Sequence, residues 1–223
     1  MARYVVDYLR PADLDAVQEI DLASFPIPWQ RETYLNELRA GHEHRYVAAR
    51  FVAVPLVTAV ADSSPPSLSE RMRRWARGVQ PPPGVPQHDL PVVGHAGICR
   101  EGKTGHIATL AVHPGHRGQG VGTLLLLALI EEARALRVKR LALEVRTSNL
   151  PAQQLYRRFG FTVTGTQSAY YRDNDEDAYL LAIDDLDALP VREHHKRLSD
   201  RLYVRLQHEN APPGTDAAVH DGA

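Results

Sequence analysis

The sequence predicts an α/β (α+β) domain in which strands and helices alternate. Short runs rich in β-branched and aromatic residues, typical of strands, are followed by segments with apolar residues at helical spacing. The composition, 43% apolar and 24% charged, is sufficient for a packed core. Two stretches of different composition, 55–91 and 185–223, interrupt and follow this pattern. What remains has the length of one ordinary domain.

In the first part of the chain, two strands flank two helices. Pro11 suits the first turn of a helix, and Leu14, Val17 and Ile20 fall on one of its faces. The prolines after this helix remove backbone donors and end it. The predicted elements are a strand at 4–9, a helix from residue 11, a helix at 30–39 that ends at Gly41, and a strand at 46–54.

Residues 55–91 contain eight prolines and few apolar residues, which indicates an insertion or a long loop. Within it, 67–78 permits a short helix with arginines around Trp75. A charge run alone is weak evidence for RNA binding, and we interpret this segment as a solvated surface helix.

Residues 92–184 have the densest pattern. Val121–Ile130 is apolar on nearly every side, as expected of a helix buried against a sheet. The predicted elements are strands at 92–100 and 106–112 joined by a turn, a Gly-rich loop at 113–120, a helix from 121 to about 137, a strand at 140–146, a helix at 150–159, a strand at 161–165 and a hairpin at 170–183. A surface helix at 190–207 and a disordered tail from 208 are expected beyond it.

Composition excludes several classes of protein. A single cysteine, Cys99, rules out a disulfide scaffold and a cysteine-ligated zinc finger. With 26 basic and 27 acidic residues, the chain has no bulk attraction for nucleic acid or an anionic membrane. No apolar stretch approaches the roughly 20 residues that span a bilayer, and the N-terminus does not resemble a signal peptide. We expect a soluble cytoplasmic protein, without a metal because its histidines lack ligand spacing.

A glycine-rich loop between a strand and a helix predicts an anion site. In Arg117–Gly122, glycines let backbone N–H groups approach a ligand, and the helix N-terminus behind them favours phosphate. A P-loop is excluded because its lysine is missing, and the glycine spacing differs from that of a dinucleotide fold.

The loop and its neighbours resemble the acyl-CoA signature of the GCN-five-related N-acetyltransferase (GNAT) superfamily. Arg117, Gly120 and Gly122 match the family pattern Arg/Gln-x-x-Gly-x-Gly/Ala. Other stretches are similar to the RimI-type branch, the ribosomal-protein-alanine N-acetyltransferases. The resemblance covers 4–54 and 92–184, and the stretches that carry it are 24–29, 107–122, 143–149, 155–161 and 170–178.

This resemblance implies a twisted, mainly antiparallel mixed sheet with helices on both faces, the acyl-CoA N-acyltransferase fold. The domain would span 1–184, interrupted at 55–91, and 185–223 would add a C-terminal helix and tail. The resemblance also implies acetyl-CoA as cosubstrate and a protein N-terminal α-amine as acceptor, on the N-terminal alanine of a ribosomal protein.

The resemblance assigns cofactor-binding roles residue by residue. Main-chain groups of Leu110, Ala111 and Val112 would hold the pantetheine arm like an added strand, and the Val112 N–H would stabilise the oxyanion. Asn149 would reach the cofactor, although it could equally cap the helix that starts at Leu150. The residues that would wrap the pyrophosphate are Arg117, Gly118, Gln119, Gly120, Val121 and Gly122.

Glu144 and Tyr156 are the candidate catalytic residues. Strand alternation puts Glu144 on the face of Ala142 and Arg146, where a salt bridge to Arg146 or another strand neighbour is the structural alternative. By resemblance, Glu144 is the general base and Tyr156 the proton donor to the departing CoA thiolate. For Tyr156 the alternative is core packing.

The chemistry of amines bears on the acceptor. An α-amino group with a pKa near 8 is about a tenth neutral at pH 7, whereas a lysine near 10.4 is neutral in only a few molecules per ten thousand. A single modest base such as Glu144 therefore suits an N-terminal amine. Two alternatives stay open: an acetyltransferase of the same fold acting on a lysine or a small amine, and an acyl-CoA-binding regulator without turnover.

Two further features complete the sequence predictions. Cys99 is interpreted as a small core residue, and a Cys99–His106 nucleophile pair would lack an orienting third group. Related sequences often carry an acid just before the strand that leads into the loop, but Lys103–His106 has none. No second carboxylate is therefore expected to assist Glu144.

Overall fold

The computed structural model describes residues 3–52 and 89–208. The predicted helix at 67–78 and the predicted tail lie outside these residues. Seven strands form one sheet in the order β1-β2-β3-β4-β5-β7-β6. The strands are β1 (Arg3–Tyr8), β2 (His44–Val52), β3 (Val92–Glu101), β4 (Thr104–Val112), β5 (Arg140–Arg146), β6 (Thr162–Tyr171) and β7 (Glu176–Ile183).

The predicted mixed, mainly antiparallel sheet with helices on both faces is confirmed. All neighbouring strands pair antiparallel except β4 and β5, which are parallel. The helices are α1 (Leu14–Leu22), α2 (Arg31–Arg39), α3 (Val121–Ala135), α4 (Leu150–Arg158) and α5 (Leu189–His208). None of these helices, within the described ranges, is long and apolar enough to cross a membrane.

The two faces of the sheet have different covers. On the first, which we call the α1 face, Leu14 and Val17 of α1 and Tyr34 of α2 form a core with Tyr46 and Ala48 of β2. On the second, the α3 face, the apolar side of α3 forms the larger core with β3, β5, α4 and α5. As predicted, 124–130 is buried along its whole length.

A buried polar network fastens α1 and α2 to the α1 face. His95 of β3 lies 2.7 Å through Nε2 from Oδ1 of Asp21, and the Tyr34 hydroxyl donates to Oδ2 of Asp21 at 2.6 Å. All three side chains are fully buried. The network therefore fixes the C-terminal end of α1, which precedes the loop between α1 and α2.

The predicted boundaries near β6 are wrong. A strand at 161–165 and a separate hairpin from 170 were expected, but β6 runs without interruption from 162 to 171 and pairs with β7 between 162 and 167 and again at 171. Two register shifts, one of them beside Ala169 at φ 49°, insert extra residues into the strand. Such bulges break the alternation on which strand prediction depends.

The C-terminal helix has an apolar stripe, as its spacing indicated. Leu198, Leu202 and Leu206 of α5 are buried in the core of the α3 face. The helix therefore packs along that face and continues the core rather than resting on the surface.

Candidate active site

The centre of the sheet opens into a fork between β4 and β5. The two strands pair only where Thr104, Gly105 and His106 oppose 140–142, although β4 continues to Val112 and β5 to Arg146. Among the described residues, the β4 edge from 107 to 112 thus has no strand partner on the β5 side. An extended ligand can add to such an edge by main-chain hydrogen bonds.

A bulge in β4 sets which groups face the fork. Gly97 opposes Thr109 while Ile98 opposes Ile107, so Ala108 is an extra residue. Beyond it, the N–H of His113 donates to β3, to the carbonyl of Val93, at 2.9 Å. Along an antiparallel strand, the main-chain N–H and C=O groups of successive residues point alternately to one neighbouring strand and to the other. The groups of every second residue, counted back from His113, therefore also face β3.

This alternation separates the three residues expected to hold the pantetheine arm. Main-chain groups of Ala111 face β3, whereas those of Leu110 and Val112 face the fork. The carbonyl of Val112 accepts a hydrogen bond from Nε of Arg117 at 3.0 Å, which agrees with that direction. Two of the three residues therefore present groups at the predicted place.

The glycine-rich loop leads from β4 into the N-terminus of α3. Gly118 and Gly120 have φ of 74° and 89°, a left-handed conformation that favours glycine, and α3 begins directly after Gly120. Arg117 also donates to Oγ of Ser24 at 2.9 Å, so the loop is tied to the segment between α1 and α2. Gln119 accepts a hydrogen bond from the Tyr4 hydroxyl at 2.6 Å.

Asn149 caps α4. Its side-chain oxygen accepts a hydrogen bond from the N–H of Ala152 at 3.1 Å. The structural alternative for Asn149 is therefore present, and its contact with a cofactor stays a prediction.

Glu144 projects from β5 at the mouth of the fork, on the α1 face. Its Oε2 lies 2.6 Å from Nε2 of His106, and burial together with this nearby carboxylate raises the pKa of Tyr170. The hydrogen bond from His106 lowers the pKa of Glu144, and the same bond raises the pKa of His106. The Glu144 side chain is 24% exposed and the His106 side chain is 32% exposed, so both are accessible to solvent and to a ligand.

The salt bridge between Glu144 and Arg146 is not formed, but the other structural alternative, a pair with a neighbouring strand, is present as the contact with His106. Arg146 instead binds Asp173 at 2.6 Å and Glu176 at 3.0 Å, in the turn between β6 and β7 and at the start of β7. Its guanidinium also lies 3.8 Å from the centre of the Tyr171 ring. Glu144 thus remains available at the fork.

Tyr156 lies on the other side of the sheet from Glu144. Its ring belongs to the core of the α3 face and packs 5.6 Å from that of Phe161, centre to centre. Burial raises the pKa of Tyr156. The two candidate catalytic side chains therefore lie on opposite faces of the sheet.

Comparisons with known proteins agree with this geometry. The model of the Acetyltransferase (GNAT) family matches residues 59–161. A Bacillus subtilis protein, provisionally named a ribosomal protein bS18-alanine N-acetyltransferase, is 29% identical over 173 residues, which are 78% of this chain and 90% of that protein. The Mycobacterium tuberculosis N-alpha-acetyltransferase RimI is 41% identical over 97 residues, 42% of this chain and 60% of that one.

A solved structure agrees as well. The crystal structure of Arabidopsis thaliana NAA60 in complex with acetyl-CoA superposes with a TM-score of 0.60 at 18% identity, and covers 82% of this chain and 99% of that one. These comparisons show that the chain contains a GNAT family domain.

The GNAT domain and the matching solved structures confirm the predicted fold and the predicted class of enzyme, an acetyl-CoA-dependent acyltransferase. The sequence analysis did not predict that His106 is the partner of Glu144, the candidate base. His106 was considered only as a partner of Cys99, whereas its ring contacts Glu144. The available signal was its place near the start of the strand that leads into the glycine-rich loop.

Cys99 faces a different group of side chains. Three donors converge on Oε2 of Glu37: Nδ1 of His44 at 2.6 Å, the Tyr46 hydroxyl at 2.8 Å and Sγ of Cys99 at 3.6 Å. Burial raises the pKa of Cys99 to about 11, so it is a thiol at neutral pH. Glu37, His44 and Cys99 are the residues in the described ranges that could together hold a metal ion, but they already bind one another.

Proposed function

We propose that this GNAT enzyme transfers the acetyl group of acetyl-CoA to the α-amine at a protein N-terminus. The observation that carries the proposal is the ionised Glu144 at the mouth of the fork, with a pKa lowered by His106. Such a carboxylate is a modest base. It suits an α-amine, which is already about a tenth neutral at pH 7, better than a lysine.

The free edge of β4 would receive the thioester arm. The N–H groups of Leu110 and Val112 face the fork, so an extended pantetheine arm can bind there as an added strand. The Val112 N–H lies at the end of this edge next to the glycine-rich loop, where it would stabilise the negative charge that develops on the thioester oxygen. The phosphates would bind at the loop 117–122 and the N-terminus of α3.

The acceptor would approach from the α1 face. Glu144 takes a proton from the attacking amine, directly or through a water molecule, as the N–C bond forms. RimI-type relatives support a protein N-terminus as acceptor, and an N-terminal alanine of a ribosomal protein is the specific candidate.

Tyr156 would protonate the sulfur from the α3 face as the C–S bond breaks. Burial raises its pKa, which keeps the phenol protonated before the reaction. The raised pKa also makes it a weak acid. We therefore expect its proton to move only after negative charge has developed on the sulfur.

The test is acetylation of a set of peptides that differ only in the first residue, each with one internal lysine, read by mass spectrometry after incubation with acetyl-CoA. We expect one acetyl group on the α-amine, fastest for alanine. The matched control is the alanine peptide with its N-terminus already blocked, which should stay unmodified. Acetylation of the internal lysine alone, or of free alanine but no peptide, would contradict the proposal.

A further inference from the structure

The C-terminal helix α5 touches the glycine-rich loop directly. Nη2 of Arg205 donates a hydrogen bond to the carbonyl of Gly118 at 3.0 Å. One turn earlier, Leu202 lies so close to Gly120 that a Cβ there would be 3.0 Å from its Cδ1. The segment outside the family pattern is thus in contact with the predicted phosphate site.

The helix is anchored at several points, so these contacts have a fixed geometry. His195 is buried, and burial lowers its pKa to about 4. As a neutral ring it donates through Nε2 to the carbonyl of Phe159 at 2.8 Å, and its Nδ1 accepts from Arg134 at 3.0 Å. His194 binds the carbonyl of Arg158 at 2.7 Å. Together with the buried leucines, these bonds fasten α5 to α3 and α4.

The bond from Arg205 fixes the orientation of one peptide group. In a trans peptide the carbonyl of Gly118 and the N–H of Gln119 point in opposite directions, and the described residues contain no cis peptide. Because Arg205 holds this carbonyl toward α5, the N–H of Gln119 points away from α5. Without that bond, glycine at this position allows the peptide to rotate at little cost.

We propose that α5 is a positioning element for the cosubstrate, in which Arg205 holds the Gly118–Gln119 peptide so that the Gln119 N–H faces a phosphate. The inference rests on the proposed function, because it assumes that the loop binds the phosphates of acetyl-CoA. Arg205 acts through the loop and is a positioning residue. The leucine contact at Gly120 keeps the loop and the helix together.

The test compares two acetyl donors with the full chain. S-acetylpantetheine has the thioester arm without the nucleotide phosphates. For Arg205→Ala we expect kcat/KM with acetyl-CoA to fall about tenfold, the size of one hydrogen bond to a charged group. With S-acetylpantetheine we expect a change within twofold. Arg205→Lys keeps a donor and should recover most of the loss.

Arg201→Ala is the matched control. Arg201 is exposed on the same helix and, among the described residues, has no hydrogen bond to the loop, so its removal changes the charge alone. Equal losses for Arg201→Ala and Arg205→Ala, equal losses with both donors, or no loss for Arg205→Ala would each overturn the inference. If the unaltered protein uses neither donor, the proposed function fails instead.

Discussion

Two histidine–carboxylate pairs lie on the same face of the sheet, and the distance between the ring nitrogen and the carboxylate oxygen is almost the same in both. His95 is 2.7 Å from Asp21, and His106 is 2.6 Å from Glu144. The first pair is sealed, with side chains 0% and 1% exposed, whereas the second keeps 32% and 24%. The same chemistry therefore stands in two environments. The difference in burial, and not the pairing, distinguishes the structural contact of Asp21 from the candidate catalytic pair of Glu144.

Their surroundings explain the separation. Both oxygens of Asp21 are used inside the protein, by His95 and Tyr34, and the network joins α1 and α2 to β3. Glu144 stands where β4 and β5 part, so its pair can exchange a proton with a ligand in the fork. Replacing each carboxylate by its amide should accordingly have opposite consequences.

The largest effect is expected for Glu144→Gln. The amide keeps the size of the side chain but cannot accept a proton, so we expect kcat to fall about 10²- to 10⁴-fold. Because the Glu144 side chain is partly exposed, we expect this substitution to leave the melting temperature almost unchanged. Steady-state kinetics and thermal unfolding measure the two quantities. Wild-type turnover by Glu144→Gln would show that Glu144 is not the base.

The matched replacement, Asp21→Asn, should lower stability instead. An amide cannot accept hydrogen bonds at both positions, so one buried donor, on His95 or Tyr34, loses its partner at a cost of about 1–3 kcal/mol. That loss corresponds to a fall of several degrees in Tm. The kcat of the folded fraction at 25 °C should be retained. A variant with full stability and lost turnover would place Asp21 in the reaction and end the distinction.

How far the sequence predicts these pairs depends on distance along the chain. The alternation of β5 correctly separates Glu144 from Leu143, and the cap at Asn149 follows from neighbouring residues. The partners of the carboxylates do not follow. His106 is 38 residues from Glu144 and His95 is 74 from Asp21, and these contacts depend on strand pairing and helix packing.

The same limit applies to the glycine-rich loop. Its residues and its place before α3 are visible in the sequence, together with the amphipathic spacing of α5. Contact between them is not, because Arg205 and Gly118 are 87 residues apart. Local pattern thus predicts the elements, and the docking of distant elements has to come from the structure.

A third change tests how His106 influences the pKa of Glu144. His106 lowers the pKa of Glu144, so His106→Gln should raise it. Glu144 then becomes protonated at a higher pH, and the acidic limb of the kcat/KM profile should move to higher pH. Because the pair titrates jointly, the limb belongs to both groups. The comparison is a pH profile of each protein between about pH 5 and 9, with an α-amine acceptor whose own titration is common to both.

His44→Gln is the control for this profile. It removes a histidine from another carboxylate, Glu37, at the same 2.6 Å distance. Its limb should coincide with that of the unaltered protein. A shift of equal size in both variants would mean that the pH of the acidic limb depends on the net charge of the protein and not on the contact between His106 and Glu144.

The smallest effect is expected for Tyr170→Phe. Burial and the nearby Glu144 carboxylate raise the pKa of Tyr170, but the side chain is 38% exposed and water can replace its interaction with Glu144. Even a full hydrogen bond from this hydroxyl is worth about 0.5–1.5 kcal/mol, so we expect kcat to change by at most roughly two- to tenfold. The control is Tyr203→Phe, an exposed tyrosine on α5 that should have no effect. A loss as large as that of Glu144→Gln would mean that the hydroxyl itself takes part in the proton transfer, and the reactive group would then be a triad rather than a pair.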